Sequence, residues 1–141
     1  MIMKLESRNG IVIFDAYAWI EYALDGAKAD AVETELEFAS EALTPASVIA
    51  ELKESMLRHG ITSKTISKII TFIKSKSSIA EIDSTLAELA GEINFHHKRK
   101  IKDWGMMDSM VFAVSISRKG SKILTGDPHF KELSNVMYIG K

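Results

Sequence analysis

Short apolar runs alternate with longer stretches of helical periodicity along the chain. Residues 11–14 read Ile-Val-Ile-Phe, a continuous β-favouring run that is typical of a strand buried on both faces of a sheet. Further short strands are predicted around Leu43, between Ile79 and Ile82, and over residues 122–125 and 136–139. The pattern therefore predicts five short strands, with longer elements between most of them.

Apolar residues spaced three and four apart predict helices between these strands. The pair Thr44-Pro45 is typical of a helix start, with Thr44 as N-cap and Pro45 as the first helical residue, and Gly60 should follow the end of that helix. Asp83-Ser84 is expected to cap another helix. The predicted helices cover about 17–25, 28–40, 45–58, 62–75, 84 to beyond 93, and 105–118.

Strands that alternate with helices predict the α/β class. The expected architecture is a three-layer α/β/α arrangement around a central, mostly parallel five-stranded sheet, with right-handed crossovers and helices on both faces. The chain has 141 residues and no Pro/Gly-rich linker, so one domain is expected over residues 1–141.

Composition narrows the class of protein. The hydrophobic fraction is 46% and the charged fraction 26%, which excludes a disordered or collagen-like chain. Cysteine is absent, so no disulfide and no thiolate metal site is possible. The amino terminus is too polar for a signal peptide, and no apolar run approaches the roughly 20 residues that span a bilayer. A cytoplasmic protein without a membrane partner is expected.

Charge is distributed unevenly along the chain. Residues 1–51 carry ten acids and three bases, and residues 52–141 carry nine acids and fifteen bases, which gives net charges of −7 and +6. The densest basic stretch is His96-His97-Lys98-Arg99-Lys100, followed by Lys102. This stretch is suited to binding nucleic-acid phosphates, although a solvated helix end explains it equally well.

Four acids fall where the predicted strands meet their helices. Asp15 ends the first strand, Asp127 follows the fourth, and Glu51 and Asp108 lie in early turns of their helices. Each alone has an ordinary explanation as a cap, turn or surface residue. Because ligands bind at the carboxyl edge of a parallel sheet, however, all four are expected at one rim, where they would repel one another unless a divalent cation such as Mg²⁺ or Mn²⁺ lies between them. Such an ion can activate water for phosphodiester hydrolysis.

The order and spacing of four segments resemble the PIN-domain family, in particular the VapC-type toxins of toxin–antitoxin pairs, and the resemblance extends over essentially the whole chain. The segments are Ile-Val-Ile-Phe-Asp15-Ala-Tyr-Ala-Trp-Ile-Glu-Tyr, Thr44-Pro-Ala-Ser-Val-Ile-Ala-Glu51-Leu, Asp108-Ser-Met-Val-Phe-Ala-Val-Ser and Ile-Leu-Thr125-Gly-Asp127-Pro-His-Phe130.

That resemblance implies a metal-dependent ribonuclease. It implies that Asp15, Glu51, Asp108 and Asp127 are the acidic metal-site positions and that Thr125 supports them through hydrogen bonds. It also implies Mg²⁺- or Mn²⁺-dependent cleavage of RNA, a homodimer and an antitoxin partner that blocks the site. One departure is visible, because many relatives carry Ser or Asn where this chain has a tyrosine two residues after Asp15.

Other functional classes agree less well with the sequence. A haloacid-dehalogenase-like phosphotransferase needs a second acid at position 17, where this chain has Tyr17, and a phospho-receiver needs neighbouring acids just before Asp15. Two alternatives stay open: a PIN-domain RNA-processing nuclease without an antitoxin, and a non-catalytic PIN module that binds RNA or protein. Tyr17, Trp19 and Trp104 are candidates for stacking on bases, but packing in the core or an interface is the commoner role of such residues.

Overall fold

A computed structural model describes residues 10–141 and contains one five-stranded sheet. The strand order is β3-β2-β1-β4-β5, and every neighbouring pair is parallel. The strands are β1 Ile11–Phe14, β2 Glu41–Pro45, β3 Ser78–Ala80, β4 Lys122–Thr125 and β5 Val136–Tyr138. The predicted five-stranded sheet is therefore confirmed, and it is parallel throughout.

Six helices flank this sheet in a three-layer α/β/α arrangement, as the sequence predicted. They are α1 Ala16–Ala23, α2 Ala29–Phe38, α3 Ala46–Arg58, α4 Ser63–Lys76, α5 Ser84–His97 and α6 Met106–Ser117, and a 3₁₀ turn at Pro128–Phe130 follows β4. Asp83 accepts a hydrogen bond from the backbone N–H of Leu86 at 2.9 Å, which confirms it as the N-cap of α5.

The core lies on both faces of the central strand. Val12, Ile13 and Phe14 have no exposed surface, as expected for a continuous apolar strand between two helical layers. The largest buried side chains within residues 10–141 are Trp19 and Trp104, each 1% exposed. Both tryptophans therefore pack in the core, and neither offers a surface for bases.

The prediction for the start of α3 is wrong. Thr44 belongs to β2, Pro45 is the N-cap residue without a side-chain hydrogen bond, and the helix begins at Ala46. The Thr44 hydroxyl instead accepts a hydrogen bond from Nε1 of Trp19 at 3.1 Å and lies 2.7 Å from Oγ of Ser77. Long-range bonding to the core therefore outweighs the local capping preference.

None of the helices within residues 10–141 has the length and apolar composition that crossing a bilayer requires. The expectation about a signal peptide concerns the amino-terminal segment, and residues 1–9 lie outside the described residues.

Candidate metal centre and active site

The candidate site lies where the chain changes direction in the sheet. From β1 the chain leads first to β2 on one side, and it returns later to β4 on the other. Crevices form at the carboxyl ends of strands at such a switch point. The register pairs Phe14 with Leu124, so Asp15 and Thr125 follow side by side at the ends of β1 and β4.

Asp15 caps α1 and is buried in the crevice. Its Oδ1 accepts a hydrogen bond from the backbone N–H of Ala18 at 3.0 Å, and the residue is only 5% exposed. Burial raises the pKa of Asp15 to about 7, and the carboxylates of Asp127 and Glu51 add to the rise, while hydrogen bonds from Thr125 and Ala18 oppose it. Asp15 is therefore the N-cap of α1 and also lines the crevice.

Glu51 reaches the crevice from α3, one and a half turns after that helix begins. Glu54, Ser55 and Arg58 line the same crevice at the three-, four- and seven-residue spacing that defines one helix face. Burial, together with the nearby carboxylates of Asp108 and Asp127, raises the pKa of Glu51 to about 7. Glu51 is thus an acid of the cluster and not an ordinary surface glutamate.

Asp108 is held at the amino-terminal end of α6. Its Oδ2 accepts a hydrogen bond from the backbone N–H of Gly105 at 3.0 Å and lies 2.9 Å from Nδ1 of His129. Burial raises the pKa of Asp108, the charge on Asp127 contributes to the rise, and the Gly105 and His129 hydrogen bonds oppose it. Two fixed partners therefore orient this carboxylate before any ligand binds.

The loop after β4 supplies Asp127 in a constrained turn. The Asp127 N–H donates to Oγ1 of Thr125 at 2.9 Å, and Asp127 Oδ1 accepts from the N–H of His129 at 2.9 Å. A Cβ added to Gly126 would lie 2.2 Å from Cε1 of Tyr17, so only glycine allows the tyrosine ring to pack on this loop. Tyr17, the departure from the family pattern, thus helps to shape the wall beside Asp127.

All four predicted acids line one cleft of about 360 Å³. Thr125 lies beneath the cleft and is fully buried. It makes hydrogen bonds with Asp15 and Asp127. The remaining wall is formed by apolar and mixed side chains, namely Ala16, Tyr17, Ile20, Val111, Pro128 and Phe130, together with Glu54, Ser55 and Arg58. Arg58 is paired with Glu54 at 3.1 Å, so its charge is directed along α3.

Of the four acids, Asp108 and Asp127 form with His129 a group close enough to share a hard divalent cation, and Asp15 and Glu51 lie outside that group. One donor atom from each of Asp108, Asp127 and His129 lies within 4.8 Å of the others. His129 Nδ1 is 2.9 Å from Asp108 Oδ2 and 3.5 Å from Asp127 Oδ1, close to the roughly 3 Å that separates neighbouring ligands in an octahedral shell with bonds of about 2.1 Å. Carboxylate oxygens bind both Mg²⁺ and Mn²⁺, and an imidazole nitrogen binds Mn²⁺ more favourably than it binds Mg²⁺.

Comparison with known proteins assigns the family. The PIN-domain family matches the chain over residues 12–136. The chain belongs to the PIN-domain family. A search of curated proteins by sequence found no match. Because PIN domains are nucleases as a family, this membership supports hydrolysis of nucleic acid as the chemistry of the cleft.

Solved structures with the same fold include a toxin and toxin–antitoxin complexes. Mycobacterium tuberculosis VapC20, described as a toxin that cleaves the sarcin–ricin loop, has a TM-score of 0.69 at 16% identity and covers 85% of this chain and 92% of its own. Rickettsia felis VapBC2, solved with a promoter DNA fragment, has a TM-score of 0.69 at 14% identity, with coverage of 92% and 98%. A Klebsiella pneumoniae toxin–antitoxin complex has a TM-score of 0.68 at 14% identity, and the match covers 89% of this chain and 95% of that one. At these identities the likeness shows that the PIN domain shares their fold.

His129 is the site residue of this PIN domain that sequence reasoning missed. It stands two residues after Asp127, inside a segment already singled out, but it comes next to Asp108 only through folding across 21 residues. The signal in the sequence was a histidine beside a predicted carboxylate ligand, which is a common metal-site combination.

Proposed function

We propose that the protein is a Mg²⁺- or Mn²⁺-dependent endoribonuclease that acts as the toxin of a toxin–antitoxin pair in the cytoplasm. The observation that carries the proposal is the cleft in which four carboxylates converge, with the pKa values of Asp15 and Glu51 both raised to about 7. Like charges at such close quarters are stable at neutral pH when a cation is bound between them. PIN-family membership and a fold shared with VapC toxins support RNA as the substrate.

Each residue of the cluster has a proposed role. Asp15, Asp108 and Asp127 hold the cation, and Glu51 completes the ligand set or accepts a hydrogen bond from the attacking water. Thr125 and His129 orient these carboxylates through the hydrogen bonds described above. A bound cation supplies Lewis acidity and an activated water.

The proposed reaction is hydrolysis of one phosphodiester bond. Oxygen from water bonds to phosphorus while the bond from phosphorus to the 3′-oxygen breaks, and a proton goes to that oxygen. The products carry a 5′-phosphate and a 3′-hydroxyl. Within the cleft, the apolar residues Ile20, Val111 and Phe130 limit water around the reacting group.

RNA cleavage by the purified protein tests this proposal. We expect cleavage with Mg²⁺ or Mn²⁺, none with EDTA, and recovery when the metal is restored. Asp15→Asn should fold normally and lose at least about 100-fold in rate, because it removes one unit of negative charge from the cation site while keeping the shape. Asp30→Asn makes the same change at an exposed position of α2 outside the cleft, and this matched control should cleave at the parental rate. Cleavage in EDTA, or by Asp15→Asn at the parental rate, would contradict the assignment.

The proposed partners are an antitoxin and a second copy of the chain. Structures with the same fold include complexes described as toxin–antitoxin assemblies, which favours a toxin over a free-standing RNA-processing nuclease. Expression of the chain alone in a bacterial host should arrest growth, expression of Asp15→Asn should not, and co-expression of a short protein encoded next to it should restore growth. Cleavage without growth arrest would favour the RNA-processing nuclease, and absence of both would favour a non-catalytic PIN module.

A further inference from the structure

The carboxyl-terminal end of α5 and the loop after it form a surface with unneutralised positive charge. Lys98, Arg99, Lys100 and Lys102 are all exposed. Within residues 10–141 none of the four has a carboxylate within ion-pair distance, whereas Arg58 is paired with Glu54 and Arg118 with Glu41. Cations near a helix end complement its dipole, but Lys100 and Lys102 lie beyond the last turn, where the dipole has little effect. Their charge is available to an anionic partner.

An aromatic ring lies beside these cations. Phe95 is 57% exposed, and Cζ of Arg99 lies 4.2 Å from the centroid of its ring. The His96 ring meets the same phenyl ring edge-on at 5.2 Å. Aromatic faces combined with arginine are a common means of binding unpaired bases, because every base has a face that can stack.

Core contacts and the loop after α5 connect this surface to the carboxylate cleft. The His97 ring lies 4.8 Å from that of Trp104, and Trp104 lies 5.2 Å from Phe130, which lines the cleft. The loop ends at Gly105, whose N–H donates to Asp108. A chain bound along the loop would therefore pass close to the proposed metal ligands.

The acidic cleft and the basic surface at the end of α5 have opposite charges and different effects on RNA. Apart from a bound cation, the cleft is lined by carboxylates that repel phosphates, so it contributes little attraction for RNA beyond the phosphate at that cation. Neighbouring cations provide that attraction, because each phosphate neutralised by lysine or arginine releases counterions. A basic surface close to an acidic cleft therefore supplies the attraction that holds RNA on a nuclease.

We propose that Phe95, His96, Lys98, Arg99, Lys100 and Lys102 form a basic platform that binds single-stranded RNA and leads it into the cleft. The lysines contact phosphates of the strand outside the cleft, and an unpaired base stacks on the Phe95–Arg99 pair. This proposal rests on the proposed ribonuclease function and names the part of the surface that holds the substrate.

RNA binding in EDTA tests the platform separately from catalysis. The probe is a fluorescein-labelled single-stranded RNA of about 14 nucleotides, and fluorescence anisotropy measures its affinity for the Asp15→Asn protein over a series of salt concentrations. Lys100→Gln with Lys102→Gln should weaken binding about tenfold at low salt and lower the slope of log affinity against log salt by about 1.4. The matched control, Lys64→Gln with Lys68→Gln on exposed positions of α4, removes the same charge and should change neither.

Phe95→Leu separates stacking from charge. It should weaken binding of single-stranded RNA by roughly fivefold or more without changing the salt slope, and a blunt RNA duplex should bind less well than the single strand. Phe95 is exposed, so the folded state should persist, and thermal unfolding checks this.

The outcomes of these experiments separate the platform proposal from the nuclease proposal. Equal losses in the two double-lysine variants would mean that RNA binds by general charge alone. Unchanged affinity in Phe95→Leu, with a dimer converted to a monomer in sedimentation, would make this face an interface between copies. If the parent fails to cleave RNA but the platform variants lose binding, the platform stands and the nuclease proposal falls. If the parent cleaves RNA and the variants bind it as well as the parent does, the nuclease proposal stands and the platform falls.

Discussion

At the scale of single residues, His129 connects the loop after β4 to α6. Its Nδ1 lies 2.9 Å from Asp108 and 3.5 Å from Asp127, so one ring fixes the relative position of two proposed ligands. A sequence pattern identifies acids by their place after strands, but it contains no distance between residues 108 and 129. For this reason the four carboxylates were predictable and the histidine that orients two of them was not.

His129→Gln tests this role. Glutamine keeps a polar side chain but cannot hold both carboxylates with a rigid ring, so Mn²⁺ affinity should fall roughly 10- to 100-fold. Isothermal titration calorimetry with MnCl₂ measures the change. The control is His59→Gln at the exposed end of α3, which lies outside the cleft and should leave the affinity at the parental value. Equal affinities in His129→Gln and the parent would remove His129 from the site.

At the scale of elements, a hydrogen-bond chain that is buried at Trp19 and Thr44 joins α1, β2 and the end of α4. Trp19 donates to Thr44, Thr44 lies 2.7 Å from Oγ of Ser77, and that hydroxyl donates to the carbonyl of Ile73. Apolar periodicity predicted the existence and type of these elements because it depends on which face is buried. The assignment of Thr44 was wrong because it relied on the Thr-Pro pair, which is a local signal for a helix cap. The hydrogen-bond partners of Thr44 are Trp19 and Ser77, which are distant in the sequence.

Thr44→Val should destabilise the protein by about 1–3 kcal/mol, since it leaves the buried indole N–H of Trp19 without its acceptor. Urea unfolding measures the free energy. Thr44→Ser keeps the hydroxyl and loses only a methyl group, so its loss should be smaller. If the Thr44→Val protein has the same free energy of unfolding as the parent, the hydrogen-bond chain contributes nothing to stability.

At the scale of the whole molecule, the carboxylate cluster makes stability depend on pH. The folded-state pKa values of Asp15 and Glu51 are raised to about 7 from their ordinary values of 3.8 and 4.5. Between about pH 4 and pH 7 the folded protein therefore binds more protons at these groups than the unfolded chain does. Their contribution consequently favours the folded state at low pH and is lost as pH rises through about 7.

Without metal, Asp15→Asn should therefore be more stable than the parent at pH 8, by about 3 °C or more in Tm, and the difference should shrink at pH 5.5. Asparagine resembles the protonated acid and does not carry the buried charge. Thermal unfolding in EDTA at the two pH values measures this. With excess Mn²⁺ the order should reverse, because only the parent has the full ligand set. A parent that is the more stable of the two at pH 8 in EDTA would show that the cluster carries no electrostatic strain.

The most direct test of the metal centre is the anomalous scattering of manganese in crystals of the protein soaked in MnCl₂. We predict a strong peak in the cleft, with carboxylate oxygens of Asp15, Asp108 or Asp127 about 2.1–2.3 Å from it, and no such peak in Asp15→Asn crystals treated in the same way. A parental crystal with no peak between these carboxylates, or with manganese only at distant surface positions, would contradict the account.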